Sequence, residues 1–103
     1  MNGFKLAHKN YQNESYVKEV TWKGKKIELC VSLQYHTFLK FWHASYKIGY
    51  GKGFITPQLE YHRAEDNEGR KELRMLAQKW MKSASANDAD KLDDFYQKNI
   101  LEG

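Results

Sequence analysis

The sequence predicts an α+β fold in which an N-terminal antiparallel β-hairpin, or small sheet, packs against one aromatic helix and a C-terminal helical hairpin. Three observations predict it. Apolar and polar residues alternate in VKEVTW (17–22) and KIELCVSL (26–33), as half-buried strands require. The aromatic stretch HTFLKFWHASYKIGYGKGF (36–54) and the segment after Asn67 carry apolar residues at a spacing near 3.6. With 103 residues, and with three Trp, seven Tyr and five Phe to fill it, the chain holds one core, so residues 1–103 are read as a single domain.

The two strands meet at a turn near Lys23-Gly24. A two-residue loop sets Glu19 against Glu28, a like-charge pair, whereas a four-residue loop over Lys23 to Lys26 pairs Trp22 with Ile27 and Val20 with Leu29. The second register is therefore expected. Either register puts Val20, Trp22, Ile27, Leu29, Val31 and Leu33 on one face, because the two differ by an even number of residues. A strand from the first ten residues, or from Phe54 to Tyr61, extends the sheet.

Residues 37–48 break strand alternation, since Lys40 would share a face with Phe38 and Trp42. At 100° per residue, Phe38, Leu39, Phe41, Trp42, Tyr46 and Ile48 fall on one arc, which favours a helix with Thr37 as its N-cap and Gly49 as its left-handed C-cap. Pro57 forbids a helix interior, so residues 51–63 read as a loop and a short extended piece in which Leu59 and Tyr61 alternate with Glu60 and His62. From Asn67 a helix buries Leu73, Leu76, Ala77, Trp80 and Ala84. A second helix capped by Asn87 carries Leu92, Phe95, Tyr96, Asn99 and Ile100, with Asp88, Asp90, Asp93 and Asp94 near its N-terminal turns.

Charge is unevenly placed within a net +4: residues 1–54 hold nine Lys against three acids, and residues 55–103 hold eight basic residues against ten acids. A basic N-terminal half favours an anionic partner. On the expected aromatic helix His36, Lys40, His43 and Lys47 form a polar stripe, joined by Tyr50 and Lys52 and by Lys25 and Lys26 on the hairpin turn. Lysines neutralise phosphates and tyrosines offer faces on which bases stack, so these eight residues make the expected nucleic-acid surface. The expected function is that of a small non-enzymatic nucleic-acid-binding accessory protein, acting on DNA or RNA. The alternative is a protein-binding accessory factor or inhibitor anchored by surface aromatics such as Tyr11, Tyr16, Tyr35, Tyr50, Phe54 and Tyr61, and a phage or mobile-element source suits so small a factor.

Other chemistries find little support. Gly49, Gly51 and Gly53 lack the closing Lys-Ser or Lys-Thr of a nucleotide loop and read instead as a tight return toward the sheet. On a helix His36 and His43 stand two turns apart, too far to share a zinc ion, and neither metal nor cofactor is expected. Glu60 and His62 would make an acid/base pair only if an extended segment presented both on one face, and no enzymatic role is expected. Cys30, the lone cysteine, reads as a small buried hydrophobe. The N-terminus lacks a signal-like apolar run and no segment is long and apolar enough to span a membrane, so a cytoplasmic location is expected.

Overall fold

The computed structural model describes residues 3–10, 12–50, 54–55 and 58–92, the side chains of Tyr50, Phe54, Ile55, Asn67 and Leu92 excepted. Six strands form one antiparallel sheet: β1 (Lys5–Asn10), β2 (Asn13–Trp22), β3 (Lys25–His36), β4 (Phe41–Tyr50), β5 (Phe54–Ile55) and β6 (Glu60–Ala64). The order is β1-β2-β3-β4, and β5 and β6 lie end to end along the far side of β4. One helix, α1 (Asn67–Ser83), and a 3-10 helix over Ala86–Leu92 follow.

This corrects the expected architecture. The sheet is the bulk of the molecule, and the aromatic segment is one of its central strands. Only residues 37–40 break the alternation, because they form the β3–β4 turn, in which Lys40 adopts φ 58° and its N–H donates to the carbonyl of His36 at 2.7 Å. With Phe38, Leu39 and Lys40 removed from the pattern, period two is clean: Trp42, Ala44, Tyr46 and Ile48 face α1, and Phe41, His43, Ser45 and Lys47 face the other way. Thr37 caps no helix, and Gly49 is a strand residue opposite Glu28 without a positive φ.

The hairpin register is corrected too. A two-residue turn at Lys23 (φ 49°) and Gly24 (φ 77°) sets Trp22 against Lys25 and Glu19 against Glu28. Left-handed conformations at both turn residues match the twist of the flanking strands, and Gly24 adopts one without strain. The like-charge pair is tolerated because it is exposed and Lys26 reaches Glu19 diagonally at 3.7 Å. The expected face survives: Trp22, Ile27, Leu29, Val31 and Leu33 are buried and Val20 is half-buried.

Of the two alternatives for extending the sheet, the strand from the first ten residues occurs as β1, whereas Phe54 to Tyr61 is not one strand: β5 holds Phe54–Ile55 and β6 begins at Glu60. β1 is an exposed edge strand kinked by a bulge between Leu6 and His8 and lined by lysines, which discourages further pairing along it. On the opposite side Tyr50 pairs with Phe54, and Gly51, Lys52 and Gly53, expected to make a tight return, lie outside the described residues.

Helix α1 has the expected extent. Asp66 caps it, accepting from Gly69 N at 2.8 Å, and Leu73, Ala77, Trp80 and Met81 pack over β3, β4 and β6. Ile27, Leu29, Val31 and Ile48 are wholly buried beneath it, each stabilising the fold by about 1.5–3 kcal/mol.

Among the described residues there is no C-terminal helical hairpin. The described part of the second expected helix is 3-10, and Phe95, Tyr96, Asn99 and Ile100 lie outside the described residues. Its acids serve neighbours in place of a helix dipole: Asp90 accepts from Trp22 Nε1 and Asp88 from the Tyr46 hydroxyl, both at 2.8 Å. Those bonds satisfy the polar tips of two buried aromatics, and burial together with Asp88 pushes the Tyr46 hydroxyl far above its ordinary range.

Candidate functional site

Sheet parity divides the molecule. Among the described residues α1 and the 3-10 helix cover one face, and no helix covers the other, the open face. On that open face β3 contributes Lys26, Glu28, Cys30, Ser32, Gln34 and His36, β4 contributes Phe41, His43, Ser45 and Lys47, and β6 contributes Tyr61 and Arg63.

Residues in register form rows across the strands. One row is His8, Ser15, Ser32, Ser45 and Tyr61; the next is Asn10, Asn13, Gln34, His43 and Arg63. Ser15 and Ser32 lie 3.3 Å apart through their hydroxyls, and Ser32 and Ser45 are buried without a helix above them.

At the β3–β4 turn the planar groups run together. His36 stacks on Phe41 with ring centroids 5.3 Å apart and planes within 18°, and His43 tilts against Phe41 at 5.7 Å and against Tyr61 at 5.5 Å. The Arg63 guanidinium lies 4.2 Å from the Phe41 centroid, and its Nε donates to the Tyr61 hydroxyl at 3.3 Å. Phe41 is thereby buried, while His36, Arg63 and Tyr61 remain exposed. Charge and ring quadrupole hold this cluster together, since cations favour the faces of aromatic rings.

Burial lowers the pKa of the His43 imidazole from its usual 6.5, and the neighbouring His36 and Arg63 lower it further. It is neutral at pH 7 and acts by hydrogen bonding and stacking. Its Nδ1 is buried with no partner among the described residues. A tautomer with the proton on Nε2 makes Nδ1 an acceptor and avoids orphaning a donor. Beside it lies a polar groove of about 430 Å³ whose lining includes Asn13, Gln34, His36 and His43. A second hollow of about 340 Å³, bounded by Leu39, Lys40, Phe41, Arg63 and Glu65, lies against the turn.

The structure distributes the eight expected site residues as follows. Lys26, His36, His43 and Lys47 share the open face, and Lys40 sits in the turn beside it. Lys25 is exposed at the hairpin tip on the helix-covered side. The side chain of Tyr50 and the whole of Lys52 lie outside the described residues. Sequence reasoning missed Phe41, Arg63 and Gln34, and named Tyr61 only as a surface aromatic of the protein-binding alternative. A strand reading of residues 41–50 would have put Phe41 beside His43 and Lys47, but only pairing of β6 with β4 brings Tyr61 and Arg63 alongside.

Glu60 and His62 do share a face of β6 and approach to 3.6 Å, but that face is the helix-covered one, and His62 tilts against Trp80 at 5.9 Å. The pair is exposed and lines neither the polar groove nor the hollow at the turn. Cys30 is half-buried on the open face and burial pushes its thiol up, away from reactivity. Among the described residues no cluster of three or more His, Cys, Asp or Glu can hold a metal ion, and no helix is long and apolar enough to cross a membrane. No family model, curated protein or solved structure matches the chain.

Proposed function

We propose that this chain is a small non-enzymatic nucleic-acid-binding accessory protein of the cytoplasm that meets its ligand on the open face of the sheet. One observation carries the reading: His36, His43 and Lys47 share the open face with Tyr61 and Arg63, which β6 brings alongside β4, while Lys26 lies at the hairpin end of that face, paired with Glu19. Cations on that face neutralise phosphates, and the exposed rings offer stacking surfaces. Glu19 of β2 and Glu28 of β3 lie toward the hairpin end of the sheet, remote in register from the His36–Phe41 end. At the ring-cluster end Glu65 bounds the hollow beside Arg63, and at the hairpin end Glu19 pairs with Lys26.

The test is the salt dependence of binding to a short oligonucleotide. Log affinity should fall linearly with log salt, and Lys47→Glu should weaken binding and flatten the slope by about one unit for each phosphate the variant no longer neutralises. No binding at about 50 mM salt would refute the reading, since charge interactions with phosphates are strongest there.

A specific observation favours the second reading, a protein-binding accessory factor or inhibitor. Phe38 and Leu39 project from the β3–β4 turn 86% and 58% exposed, an adjacent apolar pair that the domain itself leaves in water. A protein complex anchored there would withstand nuclease and moderate salt and would be abolished by Phe38→Asp.

A further inference from the structure

The open face is wide. Five ranks of strands spaced about 4.8 Å apart span roughly 20 Å, whereas the major groove of duplex DNA is about 12 Å across. A sheet laid flat on a duplex therefore reaches phosphates only, and its aromatic groups have nothing to stack on, because paired bases present their faces to one another. The planar groups here are nonetheless partly open to solvent. Tyr61 is 39% exposed, and His36 and Arg63, held by Phe41 beneath them, are exposed as well.

Next to that cluster the groove lined by Asn13, Gln34, His36 and His43 has the chemistry of a base edge. Each amide offers a donor and an acceptor on one plane, as the edge of a nucleobase does. Among the described residues the Gln34 amide has no side-chain partner, whereas Nδ1 of His43 is buried away from solvent, so the amides of Gln34 and Asn13 are the groups the groove offers. The groove's 430 Å³ accommodates one unstacked base with its sugar.

We infer that the open face is specific for single-stranded nucleic acid, stacking a base on the Tyr61–Arg63 platform and receiving its neighbour in the Gln34–His43 groove. This rests on the nucleic-acid reading and names its substrate class. DNA and RNA share the chemistry used, base faces and phosphates.

The experiment compares a fluorescently labelled single-stranded oligonucleotide, as DNA and as RNA, with its own duplex at the same salt, for the wild type, Tyr61→Ala and Tyr61→Phe. Tyr61 is a surface residue of β6, so equal thermal melts of the three proteins verify that the fold is intact. The single strand should bind at least about tenfold more tightly than the duplex. Tyr61→Ala should weaken binding about fivefold or more on the single strand only, and Tyr61→Phe, which keeps the ring, should stay close to wild type. Equal affinity for strand and duplex, or a Tyr61→Ala effect that is absent or the same on both, overturns the single-strand inference and leaves nucleic-acid binding standing. Failure to bind either form removes both.

Discussion

At the scale of single residues the most consequential interaction is one that the charge pattern hides. Glu14 is buried between β2 and α1, where Arg74 grips its carboxylate with both terminal nitrogens at 2.9 Å and the Tyr16 hydroxyl donates to it at 3.1 Å. Burial alone would raise the carboxyl, but the hydrogen bonds from Arg74 and Tyr16 and the charge of Arg74 outweigh it and hold the carboxyl below its usual 4.5. A depressed carboxyl stabilises the fold fully above pH 4.5, and that contribution is lost as pH falls through the folded-state value. Arg74→Ala leaves a buried acid with one neutral partner and should cost roughly 2–3 kcal/mol at pH 7 in a denaturant titration. Its stability should also change less than that of the wild type as pH falls below 4.5, because the group that responds is without the partner that lowered it. An unchanged melt at neutral pH would mean the pair contributes nothing to the folded state.

At the scale of elements, legibility follows the strength of one period over the other. α1 is readable because Leu73, Leu76, Ala77, Trp80 and Ala84 keep helical spacing and Asp66 with Gly69 supplies a sharp start. The faces of β2 and β3 are readable because alternation fixes them whatever the turn. β4 is not, because two turn residues, Phe38 and Leu39, are as apolar as the strand they precede and complete a false helical arc with it. Only a partner strand decides such a case, and β3 lies against β4 from His36 to Glu28. The hairpin turn misleads for a related reason: a like-charge pair weighs little when both groups are in water and a lysine lies diagonally across. The 3-10 helix is beyond reach, since Asp88 and Asp90 are recruited by Tyr46 and Trp22, partners 42 and 68 residues away in the chain. The start of α1 yields its own prediction. A methyl group at Gly69 would collide with the side chain of Ala64, the last residue of β6. Gly69→Ala should therefore destabilise by about 1–3 kcal/mol, although alanine is the better helix former. A more stable variant would show that β6 and α1 are not packed this closely.

At the scale of the whole molecule the sheet has two faces with different work. One is closed by α1 and the 3-10 helix and holds the apolar core; the other carries serines, amides, histidines and cations around a knot of aromatic rings. A fully solvated sheet face needs neither a stacked His36–Phe41–Arg63 sandwich nor an unpartnered amide beside it, and isolated charged residues would keep it soluble. The expected basic stripe is thus half legible: His43 and Lys47, four residues apart, share a face in a strand as they do in a helix, while Lys40 joins them only on a helix that does not exist. Tyr61 and Arg63 join only through the return of β6, which no local pattern encodes. The central claim is that this face, and not the helix side, meets nucleic acid. Titrating the isotopically labelled protein with a short single-stranded oligonucleotide and following backbone amide shifts tests it most directly. The account predicts the largest shifts at Gln34, His36, Phe41, His43, Lys47, Tyr61 and Arg63, with Leu73 to Trp80 of α1 unmoved; shifts concentrated along the exposed side of α1, or none at all, would contradict it.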